Sequence, residues 1–319
     1  MPNDRGFLIV GVLTGERISV LWPRAFTGFA SLDQRARVDS EAHLSAFTFG
    51  EDLRSYLEST GSTKHFDGVC GADFIWFDLD RSDLESARRD AIQLYEHAVG
   101  KYGTTEDLLI FFSGSKGFHI GLPTALWQPP GSLSFNKVAR RFVETLATSA
   151  KVEIDKGIYD KVRTLRAPNS RHPKTGLHKR VLTLEELKSL SVEQIQQLAK
   201  EPAAFQVPKI TKQSEQAAAD WQAADRAVAW EAESLREHRA LSNGTAKLNR
   251  STIEFIRNGA ETGGRHRLLF SAAANLAELG CPPTLAHQLL TEAALDSGLS
   301  PSDTRRQIDC GLQHIPKAN

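Results

Sequence analysis

Two aspartates, Asp78 and Asp80, end the most apolar stretch of the chain, Phe74-Ile75-Trp76-Phe77-Asp78-Leu79-Asp80. Alternate side chains of a strand point to opposite faces, so Phe74, Trp76, Asp78 and Asp80 share one face and Ile75, Phe77 and Leu79 the other. Carboxylates two residues apart have Cα atoms roughly 6.6 Å apart, and their oxygens can converge on two cations about 3.5–4 Å apart. Such ions can activate an attacking hydroxyl and stabilise a leaving pyrophosphate. A strand that simply ends in two solvated acids would carry the same tripeptide. The apolar approach favours a sheet edge or cleft, where neighbouring anions repel and a cation relieves them. A third carboxylate, Asp155, ends Val152-Glu153-Ile154-Asp155, in which the apolar residues point one way and the acids the other. By itself that pattern describes a surface acid more often than a ligand.

A second group is Ser113-Gly114-Ser115-Lys116-Gly117-Phe118-His119, set between two apolar runs. Glycines let backbone N–H groups turn toward an anion, Ser113 and Ser115 add hydroxyl donors, and Lys116 adds a charge. His119 opens the following strand. The group suits a triphosphate, although a strand rather than a helix follows and the Gly-Lys-Ser/Thr signature of a P-loop is missing. A plain hairpin turn with His119 in a core hydrogen bond is the other reading.

The third group is basic. Residues 151–180 hold nine Lys/Arg against three acids, a local charge of +6 in a chain whose formal net charge is zero. Phosphates are the expected targets, with Arg163 and Arg166 suited to bidentate contacts. His172 lies in the polar stretch Pro168-Asn169-Ser170-Arg171-His172-Pro173-Lys174-Thr175-Gly176 and has no evident packing role. A solvated basic face is the alternative, and it suits most of the lysines of this segment.

These groups need elements to hold them. Residues 7–12 and 18–22 read as two strands about a turn at Thr14-Gly15, followed by an irregular stretch. Residues 49–59 read as a helix and 72–79 as a strand. Residues 82–99 read as a helix with Ser82 and Glu85 as its capping box. Residues 107–112 and 118–122 read as strands, 134–150 as a helix, and 151–155 and 161–166 as extended. Strands and helices with direct strand-to-strand turns predict an α+β fold with mostly antiparallel sheet. From residue 183 the character turns helical. Thr183 with Glu186 and Ser191 with Gln194 are capping boxes, and 211–241, 250–257, 264–279, 283–297 and 301–314 show helical spacing. The expected organisation is a catalytic domain over 1–182, a helical linker region over 183–245 and a small all-α bundle over 246–319.

Composition narrows the class. The chain has 319 residues, 40% hydrophobic and 24% charged, which is ordinary for soluble globular domains. Zero net charge speaks against a passive nucleic-acid coat. Cys70, Cys281 and Cys310 are far apart, so no zinc ribbon is expected. Neither a signal peptide nor a membrane span is evident, and a soluble cytoplasmic protein is expected.

In order and spacing the three groups resemble the archaeo-eukaryotic primase superfamily. The matching run is an apolar strand ending Asp-x-Asp, then Ser113 to His119, then a hydrophobic-Asp followed by Leu165-Arg166-Ala167-Pro168-Asn169-Ser170-Arg171-His172-Pro173-Lys174-Thr175-Gly176. The chain looks most like the compact primase-polymerases of plasmids, phages and integrated elements. Phe255 to Ala260 and Gly264 to Phe270 look like the helical primase C-terminal domains of mobile-element replication proteins. The resemblance implies an RRM-like catalytic core followed by a helical bundle. It implies Asp78, Asp80 and Asp155 as the catalytic metal ligands for two Mg²⁺ or Mn²⁺ ions. Ser113, Ser115, Lys116, His119, Arg163, Arg166 and His172 would then be nucleotide contacts. It also implies a single-stranded DNA template, nucleoside triphosphates and a replicative helicase as partners. The zinc motif of many cellular relatives is missing.

The expected activity is DNA primase or primase-polymerase. The alternatives are a primer-extending repair polymerase, a metal-dependent nuclease or rolling-circle initiator, and a non-catalytic nucleic-acid-binding protein. A rolling-circle initiator would show a His-hydrophobic-His pair and a helical tyrosine, whereas this chain offers His119 alone and Tyr159 on no evident helix. Replacing Asp78 or Asp80 is expected to abolish synthesis and, by removing a repelled anion, to raise the stability of the metal-free protein.

Overall fold

The computed structural model describes residues 4–11, 15–103, 108–210, 212–241 and 247–314. The chain divides into two compact units, Met1–Glu231 and Ala232–Asn319. The first is α+β with two antiparallel sheets, as expected.

β1 (Arg5–Val10) and β2 (Ile18–Leu21) pair antiparallel, Arg5 opposite Leu21 and Leu8 opposite Ile18. The turn residue expected at Thr14 lies outside the described residues. The stretch read as irregular opens with a helix, α1 (Trp22–Ala30). Pro23 stands in its first turn, where a missing N–H costs nothing, and Trp22, Phe26, Phe29 and Ala30 form its buried stripe. β3 (Ala42–Ser45), β4 (Thr48–Phe49), α2 (Glu51–Thr60) and β5 (Cys70–Gly71) follow. Then come β6 (Phe74–Asp80), α3 (Leu84–Tyr102), β7 (Leu109–Phe112), β8 (Gly117–Pro123), α4 (Phe135–Ala150), β9 (Thr164–Arg166) and β10 (Arg180–Leu182). Asp107, expected to start the strand that is β7, is also outside the described residues. The cap of α3 sits one residue later than expected: Asp83, not Ser82, accepts from the Ser86 N–H at 2.8 Å. A carboxylate there adds charge to the hydrogen bond at the positive end of the helix.

The first sheet runs β5-β4-β1-β3-β9, with β2 also on β1, and the second runs β10-β7-β8-β6. In the second, β8 lies between β6 and β7 and is antiparallel to both, so β6-α3-β7 is a split β-α-β unit with β8 in the gap. One buried cluster, including Phe7, Phe49, Phe77, Phe111, Phe118 and Phe142, fills the interior of the unit.

The stretch 183–245, expected as a linker, belongs over most of its length to this core. α5 (Leu184–Ser189) and α6 (Val192–Leu198) begin with the two anticipated capping boxes, both fully formed. Leu187, Ile195, Ala217 and Trp221 are buried in the first cluster, Ala217 and Trp221 coming from α7 (Glu215–Leu241). The Trp221 ring packs on Trp127, Phe135 and Phe142 at centroid distances of 5.7, 4.9 and 5.7 Å. An alanine- and glutamine-rich composition suggested a spacer, but the Trp221 indole and its small buried neighbours dock the helix on the core.

The second unit is helical: α8 (Arg250–Asn258), α9 (Arg265–Glu278), α10 (Pro283–Asp296) and α11 (Pro301–Leu312). Phe255, Leu269, Leu276, Leu290 and Ile308 form its separate core. Among the described residues no helix is long and apolar enough to cross a membrane.

Candidate active site

β6 delivers Asp78 and Asp80 as its alternation requires. Asp78 stands opposite His119 of β8, which stands opposite Phe111 of β7, and Asp80 stands opposite Gly117. Residues paired across an antiparallel ladder project from the same face, so Asp78, His119 and Phe111 form one row. His119 Nε2 lies 3.4 Å from Asp78 Oδ1, an ion-pair distance without hydrogen-bond alignment, and Asp78 Oδ1 is buried with no hydrogen-bond partner. Lys116 Nζ reaches back to Asp80 Oδ2 at 3.0 Å. That contact raises the Lys116 pKa above its ordinary value.

The Ser113–Lys116 turn closes on itself: Ser113 Oγ accepts from the N–H groups of Ser115 (3.4 Å) and Gly117 (3.2 Å). Gly114 has φ +82°, and a Cβ there would meet the Leu177 carbonyl oxygen. Gly117 is required by proximity rather than by its dihedral, since a Cβ there would overlap the Leu79 carbonyl oxygen and Asp80 Oδ1. Gly117→Ala should therefore lower stability by about 1–3 kcal/mol and loosen the ladder beside Asp80. Denaturant unfolding of the variant would read the first effect, and hydrogen exchange at the Asp80–Gly117 rung the second.

Asp155 joins this end of the sheet through its backbone: its N–H donates to the Asp78 carbonyl at 2.9 Å. Its side chain caps the 3₁₀ turn Lys156–Tyr159, Oδ1 accepting from Gly157 N–H at 2.8 Å. The three acids so share one locality, but they are not a preformed cluster. Among the described residues no three His, Cys, Asp or Glu side chains stand close enough together to hold a metal ion. Each acid is at present engaged by a protein group: Asp78 by His119, Asp80 by Lys116, Asp155 by Gly157.

The first sheet supplies the opposite wall. Asp78, Asp80, Ser113, Ser115, Lys116 and His119 line one cavity of about 430 Å³ together with Arg163, Arg166 and His172. Of the residues singled out from sequence, only Asp155 is not in the lining. The Arg166 guanidinium lies 3.6 Å from Glu41 Oε1 and donates to the Arg171 carbonyl at 3.3 Å. Burial pulls its pKa below the ordinary value, against Glu41. His172 does have a local role. Its Nδ1 accepts from the N–H groups of Lys174 and Thr175, both at 3.2 Å, which fixes the proton of the neutral ring on Nε2.

The electrostatics of Asp78 bear on the expected effect of replacing it. Burial opposes its charge most strongly, but His119, Lys179 and Lys116 outweigh burial and hold its carboxyl below the ordinary range. The fold supplies this acid with counter-charge of its own, so its replacement should cost stability near neutral pH rather than add it.

Two further residues escaped the sequence reading. His43 of β3, paired in register with Arg166, lines the cavity at 6% exposure, and its Nδ1 has no partner. Burial and the nearby charges of Arg166, Lys179 and His172 push its pKa down to about 3, so the ring is neutral. Lys179, which the sequence shows only as one of nine basic residues of its segment, is 1% exposed. No periodicity marks either residue, and the rings beneath Lys179 come from strands remote from it in sequence.

No family model matches the chain, and none of the curated proteins does. Among solved structures it is similar to "Crystal structure of primase RepB'", with 11% identity over 97% of this chain and 90% of that one and a TM-score of 0.39. It is also similar to "Polymerase Domain from Mycobacterium tuberculosis Ligase D in complex with DNA", with 14% identity over 61% of this chain and 81% of that one and a TM-score of 0.37.

Proposed function

We propose that the chain is a template-dependent nucleotidyltransferase of the primase or primase-polymerase kind, acting by phosphoryl transfer in the cavity between its two sheets. One observation carries this reading: a single cavity is lined by the carboxylates of Asp78 and Asp80, by Lys116 paired with Asp80, and by Arg163 and Arg166. Carboxylates and guanidinium groups in one cavity fit a substrate that is a polyanion brought in with divalent cations.

The donor set fits the metal. Asp78 keeps a buried carboxylate oxygen without a hydrogen-bond partner, and carboxylate oxygens suit Mg²⁺ or Mn²⁺. Asp78, Asp80 and Asp155 are the residues that would hold two such ions, which when bound would activate the attacking hydroxyl and neutralise charge on the leaving group. In the reaction a 3′-hydroxyl would attack the α-phosphorus of a nucleoside triphosphate and release its proton to solvent, as the new phosphodiester forms, the bond to the β-phosphate breaks and pyrophosphate leaves. Arg163, Arg166 and the Nε2–H of His172 would hold the polyphosphate, and Ser113 and Ser115 would donate to it from the opposite side. Lys116, free to turn on an exposed stem, would exchange Asp80 for a phosphate oxygen as substrate enters. The protein contributes by positioning and charge, without a covalent intermediate. Tyr159 is no alternative nucleophile: its hydroxyl is buried and donates to the Trp76 carbonyl at 2.6 Å. A single-stranded DNA template, a helicase partner and the setting of a mobile element belong to the same proposal.

The test is direct. The protein is incubated with single-stranded DNA, labelled nucleotides and Mg²⁺ or Mn²⁺, with and without an annealed primer, beside an Asp78→Ala/Asp80→Ala control. Oligonucleotides made without a primer are expected. Extension only from a primer would move the activity to a repair polymerase, and a shortened template would make it a nuclease. No metal-dependent product of any kind would remove the reading.

A further inference from the structure

Lysine is a side chain that proteins rarely bury, and burial of an ammonium group is unfavourable unless charge and hydrogen bonds offset it. Its surroundings are specific. Nζ donates to the Arg166 carbonyl at 2.9 Å and lies 4.9 Å from the ring centroids of both Trp76 and Phe111. Its backbone is bonded in both directions to the arginine segment, Lys179 N–H to Ser170 O at 3.0 Å and Asn169 N–H to Lys179 O at 2.9 Å. Trp76 and Phe111 project from the same face as Asp78 and His119, by strand alternation and by ladder pairing. The ammonium group therefore lies over the aromatic floor of the second sheet while holding a strand of the first.

We propose that Lys179 is the internal positive charge of the site, a positioning residue that fastens the Arg166 strand over the Asp78 sheet and weakens the carboxylates' hold on divalent cations. Rigidity at the arginine comes from the tether. A moderated cation affinity comes from the charge, which stabilises the Asp78 carboxylate without entering the cavity. Burial draws the Lys179 pKa down to about 7 against the opposing pull of Asp78, so the comparison below is made on both sides of that pH, with the difference between wild type and the lysine variants expected on the acid side.

The inference rests on the proposed metal-dependent reading, and the experiment separates the two. Binding of Mn²⁺ alone is measured by electron paramagnetic resonance for the wild-type chain, Asp78→Asn/Asp80→Asn, Lys179→Met and Lys179→Gln. Loss of a buried charge near the carboxylates should tighten Mn²⁺ binding about tenfold in both lysine variants. Damage to the fold would weaken it, so the sign distinguishes an electrostatic role from a structural one. Lys179→Met leaves the buried Asp78 carboxylate short of counter-charge and the Arg166 carbonyl without its donor, so it should melt lower than wild type, and Mn²⁺ binding is compared at a temperature where every variant is folded. With nucleotide present, Lys179→Met should raise KM more than it lowers kcat, and Lys179→Gln, which can still donate to the Arg166 carbonyl, should recover part of that loss. Mn²⁺ affinity unchanged or reduced in a folded variant would overturn the inference and leave the metal reading standing. Failure of both neutral variants to fold would also overturn it, since it would make Lys179 a residue of stability alone. A wild-type chain that binds no Mn²⁺ through Asp78 and Asp80 would remove the metal reading and this inference together.

Discussion

Asp78→Asn is expected to lower nucleotide incorporation about a thousandfold or more while leaving the circular dichroism spectrum unchanged. The variant loses an anion at the point where the chemistry needs cations, and a neutral amide cannot replace a charged ligand. The same substitution should show in stability with a definite sign. The Asp78 carboxyl is held below its ordinary range by His119, Lys179 and Lys116 against burial. A depressed folded pKa contributes stability that is fully present above the unfolded value of about 4 and is lost as pH falls through the folded value. Wild type should thus outlast Asp78→Asn in denaturant at pH 7, and the gap should close as the pH drops below 4. A variant more stable than wild type at pH 7 would show that repulsion between the acids governs this end of the sheet, as the sequence suggested.

Arg166→Leu is expected to raise the KM for nucleotide about a hundredfold with a smaller change in kcat. The guanidinium is partly buried in the cavity wall, held by Glu41 and the Arg171 carbonyl, so on the proposed reading it would meet a phosphate already oriented and partly desolvated. Charge-assisted contacts of that kind contribute about 1.5–3 kcal/mol each. Arg166→Lys should recover only part of the loss, because a lysine offers charge without the planar fork. Steady-state kinetics with the nucleotide varied at saturating template would check both. Equal losses in KM and kcat across the two variants would place the arginine away from the polyphosphate.

Much of this site was legible because strand alternation is local. The run from Phe74 to Asp80 gives its own faces, and the two acids fall where the period of two puts them. The later helices were legible for a similar reason, since capping boxes at Thr183 and Ser191 act within three residues. What stayed hidden depends on residues distant in sequence. The Asp78–His119 pairing is a relation between strands about forty residues apart. Lys179 reads as one more charge in a basic segment until two aromatic rings from β6 and β7 are brought beneath it. α1 was concealed by Pro23 and Gly28, which break helical propensity although Trp22, Phe26 and Phe29 keep helical spacing. The stretch from 183 to 231 looked like a spacer because its docking rests on a few large side chains rather than on mean composition.

Strand β8 is paired along both edges, from Phe74 opposite Pro123 to Asp80 opposite Gly117 on one side, and from Leu109 opposite Gly121 to Phe112 opposite Phe118 on the other. Its parity is thereby counted twice. A shift of one residue would turn His119 into the helix-facing interior and bring Phe118 up beside the acids. The turn before it can exchange side chains more readily than it can gain or lose a single position. Insertions and deletions there, more than substitutions, mark the boundary of what this chain can tolerate.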